Sequence, residues 1–246
     1  MDKSSKTDIP MDEQRRAWNV WNAAAREGRL SPSSIRQAEV LNQWLIALGR
    51  RDLAIVDVGC GAGWTCERLA AFGSVTGVDL ADEVLDRART RLPHVRFLTG
   101  DVFSVELPRE SFDVVVSLEV LSHVKNQQDF VDRLATLLRP GGWLMLATQN
   151  RPVLERWSVV GPAYPGQIRH WVDARELRRL LATRFESIRI ESVLPVGDQG
   201  FLRVVNSPKL NRLLCVLLPA ASIERWKERA LLGHTLLALA QVRSTQ

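Results

Sequence analysis

Three glycines stand at alternate positions in the run Val58-Gly59-Cys60-Gly61-Ala62-Gly63, and carboxylates recur around and beyond it at Asp57, Asp79, Asp101 and Glu119. Glycine at alternate positions lets a chain turn tightly and leaves backbone N–H groups uncovered for a ligand. Asp79 lies twenty residues after Gly59, where a carboxylate beside such a loop can accept both hydroxyls of a ribose. Asp101, in Gly100-Asp101-Val102, can accept an adenine amino group while Val102 and Leu80 flank the ring. The dinucleotide fingerprint requires a third glycine at position 64, but Trp64 stands there, which argues against a bound pyrophosphate. Any one of these acids reads as well as a helix cap or a surface carboxylate. Their joint spacing is what points to a nucleoside-like ligand.

The elements that must position these groups follow from the patterning. Ile55–Val58 is a short apolar, β-branched-rich run that suits a buried parallel strand, and Trp64, Cys66 and Leu69-Ala70 fall at helical spacing directly after the glycines. The chain then alternates, with strands predicted at 75–78, 95–98, 112–118 and 143–148 and helices at 82–91 and 127–138, the latter stopped by Pro140-Gly141-Gly142. Asp79, Asp101 and Glu119 thereby fall at successive strand ends. Ahead of the first strand, residues 12–26 read as a helix with Ala17, Val20, Trp21 and Ala24 on one face. Ser33 can cap a second helix through Leu48. The pair suits either a lid over the crevice or plain packing on the sheet edge. Residues 151–172, with Pro152, Pro162 and Pro165, suit an insertion over the active face. Asp173-Ala174-Arg175-Glu176 matches a capping box opening a helix to Thr183. Residues 188–193 and 235–242 are the last two strands, separated by apolar helical patterns at 210–218 and 223–232 that suit a lid or a dimer surface better than a membrane-surface patch.

At 246 residues, 46% hydrophobic and 25% charged, the chain is sized for one globular domain with accessory helices. We divide it into N-terminal helices (1–50), a binding core (51–150), and a cap with the rest of the sheet (151–246). The net charge of +5 comes with arginines scattered along the chain, which reads as a solvated surface rather than a nucleic-acid site. Three cysteines without metal-ligand spacing suit reduced thiols in the cytoplasm and imply no metal. The apolar run at 213–221 is too short to span a bilayer, so no stable membrane insertion is expected.

Residues 54–148 resemble the core of class I S-adenosylmethionine-dependent methyltransferases of the ubiquinone-biosynthesis type. The glycine loop, Asp79, Gly100-Asp101-Val102, Glu119 and Leu138-Arg139-Pro140-Gly141-Gly142 carry the resemblance in family order. It implies an α/β fold: a doubly wound, Rossmann-like sheet of seven strands with a reversed final strand, here with an N-terminal helical lid and a C-terminal helical insertion. It implies S-adenosyl-L-methionine as cofactor, with Asp57, Gly59 and Gly61 around its methionine part, Asp79 on the ribose, Leu80, Asp101 and Val102 at the adenine, and Glu119 as a further cofactor contact in the same crevice.

Methyl transfer asks the protein mainly to hold a nucleophile in line with an activated methyl group. Where the nucleophile carries a proton, a base helps. His123, four residues past Glu119, is the first candidate and His170 the second, and either can equally be a structural histidine. Trp18, Trp21, Trp157 and Trp171 lie in segments expected around the substrate mouth, where indole faces suit a planar acceptor. The expected substrate is a small molecule methylated on nitrogen or oxygen, a ring compound of bacterial secondary metabolism such as an azapteridine-like heteroaromatic or a quinone. The alternatives are a sugar, lipid or macromolecular acceptor, or a non-catalytic interaction module. A monomer or homodimer is expected.

Overall fold

A computed structural model describes residues 9–25, 30–197, 199–216 and 219–243. Seven strands form one sheet in the order β3-β2-β1-β4-β5-β7-β6. The strands are β1 (Leu53–Val58), β2 (Gly73–Asp79), β3 (Arg96–Thr99), β4 (Phe112–Leu118), β5 (Leu138–Gln149), β6 (Phe185–Val193) and β7 (Thr235–Val242). The first five run parallel, while β7 is antiparallel to both β5 and β6. This is the doubly wound sheet with a reversed final strand that the resemblance implies.

Both faces of the central strands are buried, so their residues read as continuous apolar runs. Val56, Val115 and Leu144 pack on one side with Phe130 and Leu134 of α5 (Gln127–Leu137) and with Leu177 and Leu181 of α7 (Ala174–Ala182). Ile55, Val114 and Met145 face the other side. There Leu41 and Leu45 of α2 (Pro32–Ala47), Leu69 of α3 (Trp64–Leu69) and Leu85 of α4 (Asp82–Arg91) close the layer. Strand order reverses between β1 and β4, leaving a crevice outside their carboxyl ends. The remaining helices are α1 (Met11–Ala25) ahead of α2, α6 (Arg151–Trp157) after β5, and α8 (Gly200–Val205), α9 (Pro208–Leu214) and α10 (Ala220–Arg229) between β6 and β7. No helix of the described residues is long and apolar enough to cross a membrane.

Several local expectations need correction. The cap of α2 is Ser31, whose side chain accepts from Ser34 N at 3.1 Å, and not Ser33; Pro32 occupies the first helical turn, where its missing N–H costs nothing. Pro140-Gly141-Gly142 does not stop α5. That helix ends at Leu137, Leu138 already pairs with Phe112, and the Pro-Gly-Gly lies inside β5 where the register with β4 shifts. The buried face of α1 is not the predicted apolar one. Val20 is 71% exposed and Ala24 is exposed, whereas Gln14, Asn19 and Asn22 are buried. By contrast, the capping box at Asp173 is fully formed, with side-chain and backbone bonds in both directions. Residues 1–8, residue 26 of the predicted first helix and residues 217–218 of the apolar pattern at 210–218 lie outside the described residues.

Candidate active site

The glycine loop leaves β1 with Gly59 and Cys60 N–H donating to Val78 O at 2.7 and 3.1 Å, which ties the turn to the end of β2. Gly59 has φ +79°, and a Cβ there would lie 2.1 Å from Val120 Cγ2; Gly61 has φ +50°, and its Cβ would lie 2.9 Å from Asn22 Oδ1. Both positions are therefore closed to side chains by conformation and by space. The loop forms one wall of a cavity of about 940 Å³ at the carboxyl ends of β1, β2 and β4, roofed by α1 and α2. That is at the upper end of the volume of small-molecule sites.

Asp79 is held by the loop it serves. Its Oδ2 accepts the Gly61 N–H at 2.7 Å and its Oδ1 the Ala81 N–H at 2.8 Å. A carboxylate has about four acceptor positions, so these amide donors do not use up its capacity to accept from a ribose hydroxyl. Burial pushes the Asp79 carboxyl above the ordinary carboxylate range, and the backbone donors of Ala81, Gly61 and Leu80 pull it back. Asp57, at the end of β1, is 2% exposed and accepts from Cys66 Sγ at 3.4 Å. Desolvation raises it to about 7 against the Cys66 bond, and the Asp79 charge adds to the rise. Asp101 fixes its own turn by accepting Phe103 N–H at 3.1 Å. Leu80, Asp101 and Val102 line the same cavity.

His123 lies on a short 3-10 turn after β4, its ring centroid 4.8 Å from that of Trp18 in an edge-to-face arrangement. Its Nδ1 is 2.7 Å from Ile168 O. A carbonyl only accepts, so Nδ1 carries the proton and Nε2 is left with the lone pair. Burial pushes this imidazole down to about 4, against the Ile168 bond and with the Arg169 charge adding to the fall. His123, Trp18 and Trp21 line the cavity, whereas His170, Trp157 and Trp171 are not among its lining residues. His170 is engaged through its backbone, donating to Ser122 O at 2.8 Å and accepting from Gln127 Nε2 at 2.9 Å. Trp157 packs on Phe201, and Trp171 lies under the Arg169 guanidinium.

Asn22, Gln37, Gln149, His234 and Thr235, with no site role assigned from sequence, also line the cavity. Gln37 Nε2 donates to Glu119 Oε1 at 2.6 Å, Thr235 Oγ1 donates to the same oxygen at 3.0 Å, and His234 Nε2 is 2.8 Å from Ser158 Oγ. The sequence signal for them was weak, because Asn22, Gln37, Gln149 and Thr235 lie on elements whose pattern says only helix or strand, and His234 lies in the bend before β7. The residues present fit an adenosyl-type ligand: a glycine cradle that a Cβ would block, beside a buried carboxylate already oriented by amide donors.

Residues 56–146 match a family model described as a methyltransferase domain. The chain is similar to a ubiquinone biosynthesis O-methyltransferase of Nitrosomonas europaea, 36% identical over 124 residues that make up 47% of this chain and 52% of that protein. A protein of the same name from Coxiella burnetii is 26% identical over 187 residues, 67% of this chain and 79% of the other. The match thus spans about half the length of the first relative. Among solved structures, the N-methyltransferase NodS of Bradyrhizobium japonicum, in complex with S-adenosyl-L-homocysteine, superposes with a TM-score of 0.64 at 18% identity, covering 96% of this chain and 100% of that one.

Proposed function

We propose that this chain, which belongs to the class I S-adenosylmethionine-dependent methyltransferases, methylates an oxygen or nitrogen of a small ring compound, quinone-like or heteroaromatic, of the kind found in bacterial secondary metabolism. When bound, S-adenosylmethionine supplies a sulfonium methyl group open to attack by a lone pair, leaving as a neutral thioether. The chain's own residues do the rest by placement. Asp79 takes the ribose hydroxyls, Leu80, Asp101 and Val102 bracket the adenine, and Asp57, Gly59 and Gly61 surround the methionine part. Trp18 and Trp21 offer aromatic faces to a planar acceptor at the α1 side of the cavity. His123 Nε2 is the atom we assign to take the proton that an acceptor hydroxyl or ring N–H must lose.

The observation that carries this reading is Asp79, oriented by the Gly61 and Ala81 amides at the point where strand order reverses. The test is a label transfer: the protein is incubated with a methyl-deuterated donor and a panel of hydroxylated and N–H ring compounds, and products are read by mass spectrometry. The expected result is a labelled product with the methyl on oxygen or nitrogen. Tight binding of S-adenosylhomocysteine with no labelled product across hydroxyl, amine and sugar acceptors would instead favour a non-catalytic cofactor-fold module.

A further inference from the structure

Resting on that reading, we propose that Gln37, Glu119 and Thr235 form the polar end of the acceptor subsite, admitting an aromatic acceptor that presents an ammonium or hydroxyl donor and rejecting one that presents a carboxylate. The three come from separate elements: α2, the residue after β4, and the first residue of β7. Glu119 has φ +65°, a conformation rarely adopted by residues other than glycine, and its N–H donates to Ala147 O at 2.8 Å. Such geometry persists only where the surroundings over-determine it, and it concentrates at functional sites. Gln37 and Thr235 are 2% and 4% exposed. Both donate to Glu119 Oε1, and Gln37 Nε2 also lies 3.3 Å from Thr235 Oγ1. These two donors on Oε1 are neutral and orient the carboxylate, and a carboxylate can only accept.

The charge balance of the cavity points the same way. Among the described residues its walls carry five carboxylates (Asp57, Asp79, Asp101, Glu119 and Asp129) against the two cations Arg68 and Lys125. The cofactor brings one net positive charge, which leaves the walls negative. A cation or a donor is attracted into such a space and an anion repelled. Trp18 and Trp21, edge to face with centroids 5.6 Å apart, supply aromatic surface for a ring and favour a nearby cation.

The probes are three indoles differing only in the polar end: tryptamine, tryptophol and indole-3-acetate. Each is titrated calorimetrically into the full chain saturated with S-adenosylhomocysteine. Tryptamine and tryptophol are expected to bind at least about tenfold more tightly than indole-3-acetate, the discrimination that like-charge juxtaposition readily supplies. Glu119→Gln is expected to weaken tryptamine by about tenfold and leave S-adenosylhomocysteine affinity unchanged, since it removes the charge and keeps the shape. Thr235→Val, which removes one orienting donor, should act in the same direction. Equal or tighter binding of indole-3-acetate, no detectable tryptamine binding, or a Glu119→Gln loss that falls equally on S-adenosylhomocysteine would each overturn the proposal. The last result would return Glu119 to the cofactor contacts. The wild-type ranking decides the matter even if the variants fold poorly. Failure of S-adenosylhomocysteine itself to bind would instead refute the functional reading above.

Discussion

At His123 and Asp57, burial works on two ionisable groups in opposite senses. The histidine, ordinarily near 6.5, is pushed down to about 4. An unfolded chain would take up that proton first, so this contribution to stability falls as pH drops from about 6.5 to 4. Asp57, ordinarily 3.8, is raised to about 7. Here the folded chain holds the extra proton, and the contribution is present below about 4 and lost as pH rises to 7. The two slopes oppose each other in the wild type. Asp57→Asn should unmask the histidine: its melting temperature should fall steeply between pH 6.5 and 5, while that of the wild type changes little. Parallel melting curves for the two proteins would show that Asp57 is not desolvated as the geometry requires, and a flat curve for Asp57→Asn would show the same of His123. The same depression bears on the proton transfer proposed for His123. The imidazole is neutral throughout the neutral range, so no limb of the rate profile should appear near pH 6.5, and the acid limb should sit near 4. If His123 takes the acceptor proton, His123→Ala should lower kcat by roughly 10²-fold or more with S-adenosylhomocysteine affinity intact. A lower melting temperature with normal turnover would make the residue structural.

On the scale of elements, the sheet was legible because its central strands are buried on both faces and separated by unambiguous breakers. The predicted 112–118 and 235–242 coincide with β4 and β7, and 82–91 with α4. Register shifts were not legible: nothing in Pro140-Gly141-Gly142 says that pairing has already begun at Leu138. α1 was legible as a helix but misread as to face. Apolar periodicity finds the side that meets a hydrophobic core, whereas α1 roofs the cavity and buries Gln14, Asn19 and Asn22. Asn19 Nδ2 donates to Asp82 Oδ1 at 2.7 Å, joining α1 to the start of α4, and Asn22 presses on Gly61. A roof fastened by a few polar contacts and by Trp18 on the small cluster of Ala62, Ala81 and Val84, outside the two main core layers, should open locally. We expect amide exchange in residues 12–25 to slow when S-adenosylhomocysteine binds, and Asn19→Ala to speed that exchange in the ligand-free chain. Equal protection with and without ligand would mean that α1 is static packing.

For the whole molecule, the cofactor crevice could be found from sequence because carboxylates at successive strand ends converge once the sheet order is known. The proposed polar end of the acceptor subsite could not, since Gln37 and Thr235 lie far from Glu119 in the chain and reach it only through α2 and β7. Because the crevice draws on β1, β2, β4, α1 and α2, a ligand filling it should stabilise the fold as a unit. At a concentration of a hundred times its dissociation constant, S-adenosylhomocysteine should add about 2.7 kcal/mol to the stability of the folded state. For a chain of this size each kcal/mol moves the melting temperature by about 2–4 °C, so a rise of about 5–10 °C is expected. NAD should give none, because Trp64 replaces the glycine that would let a pyrophosphate approach. Asp79→Asn should cut the S-adenosylhomocysteine effect sharply. A bond to a charged acceptor contributes about 1.5–3 kcal/mol, and the amide keeps only one acceptor oxygen for the ribose and the loop amides together. Differential scanning fluorimetry over a ligand series measures all three. A shift with NAD equal to that with S-adenosylhomocysteine, or an undiminished shift in Asp79→Asn, would mean that the crevice reads something other than the adenosyl ribose.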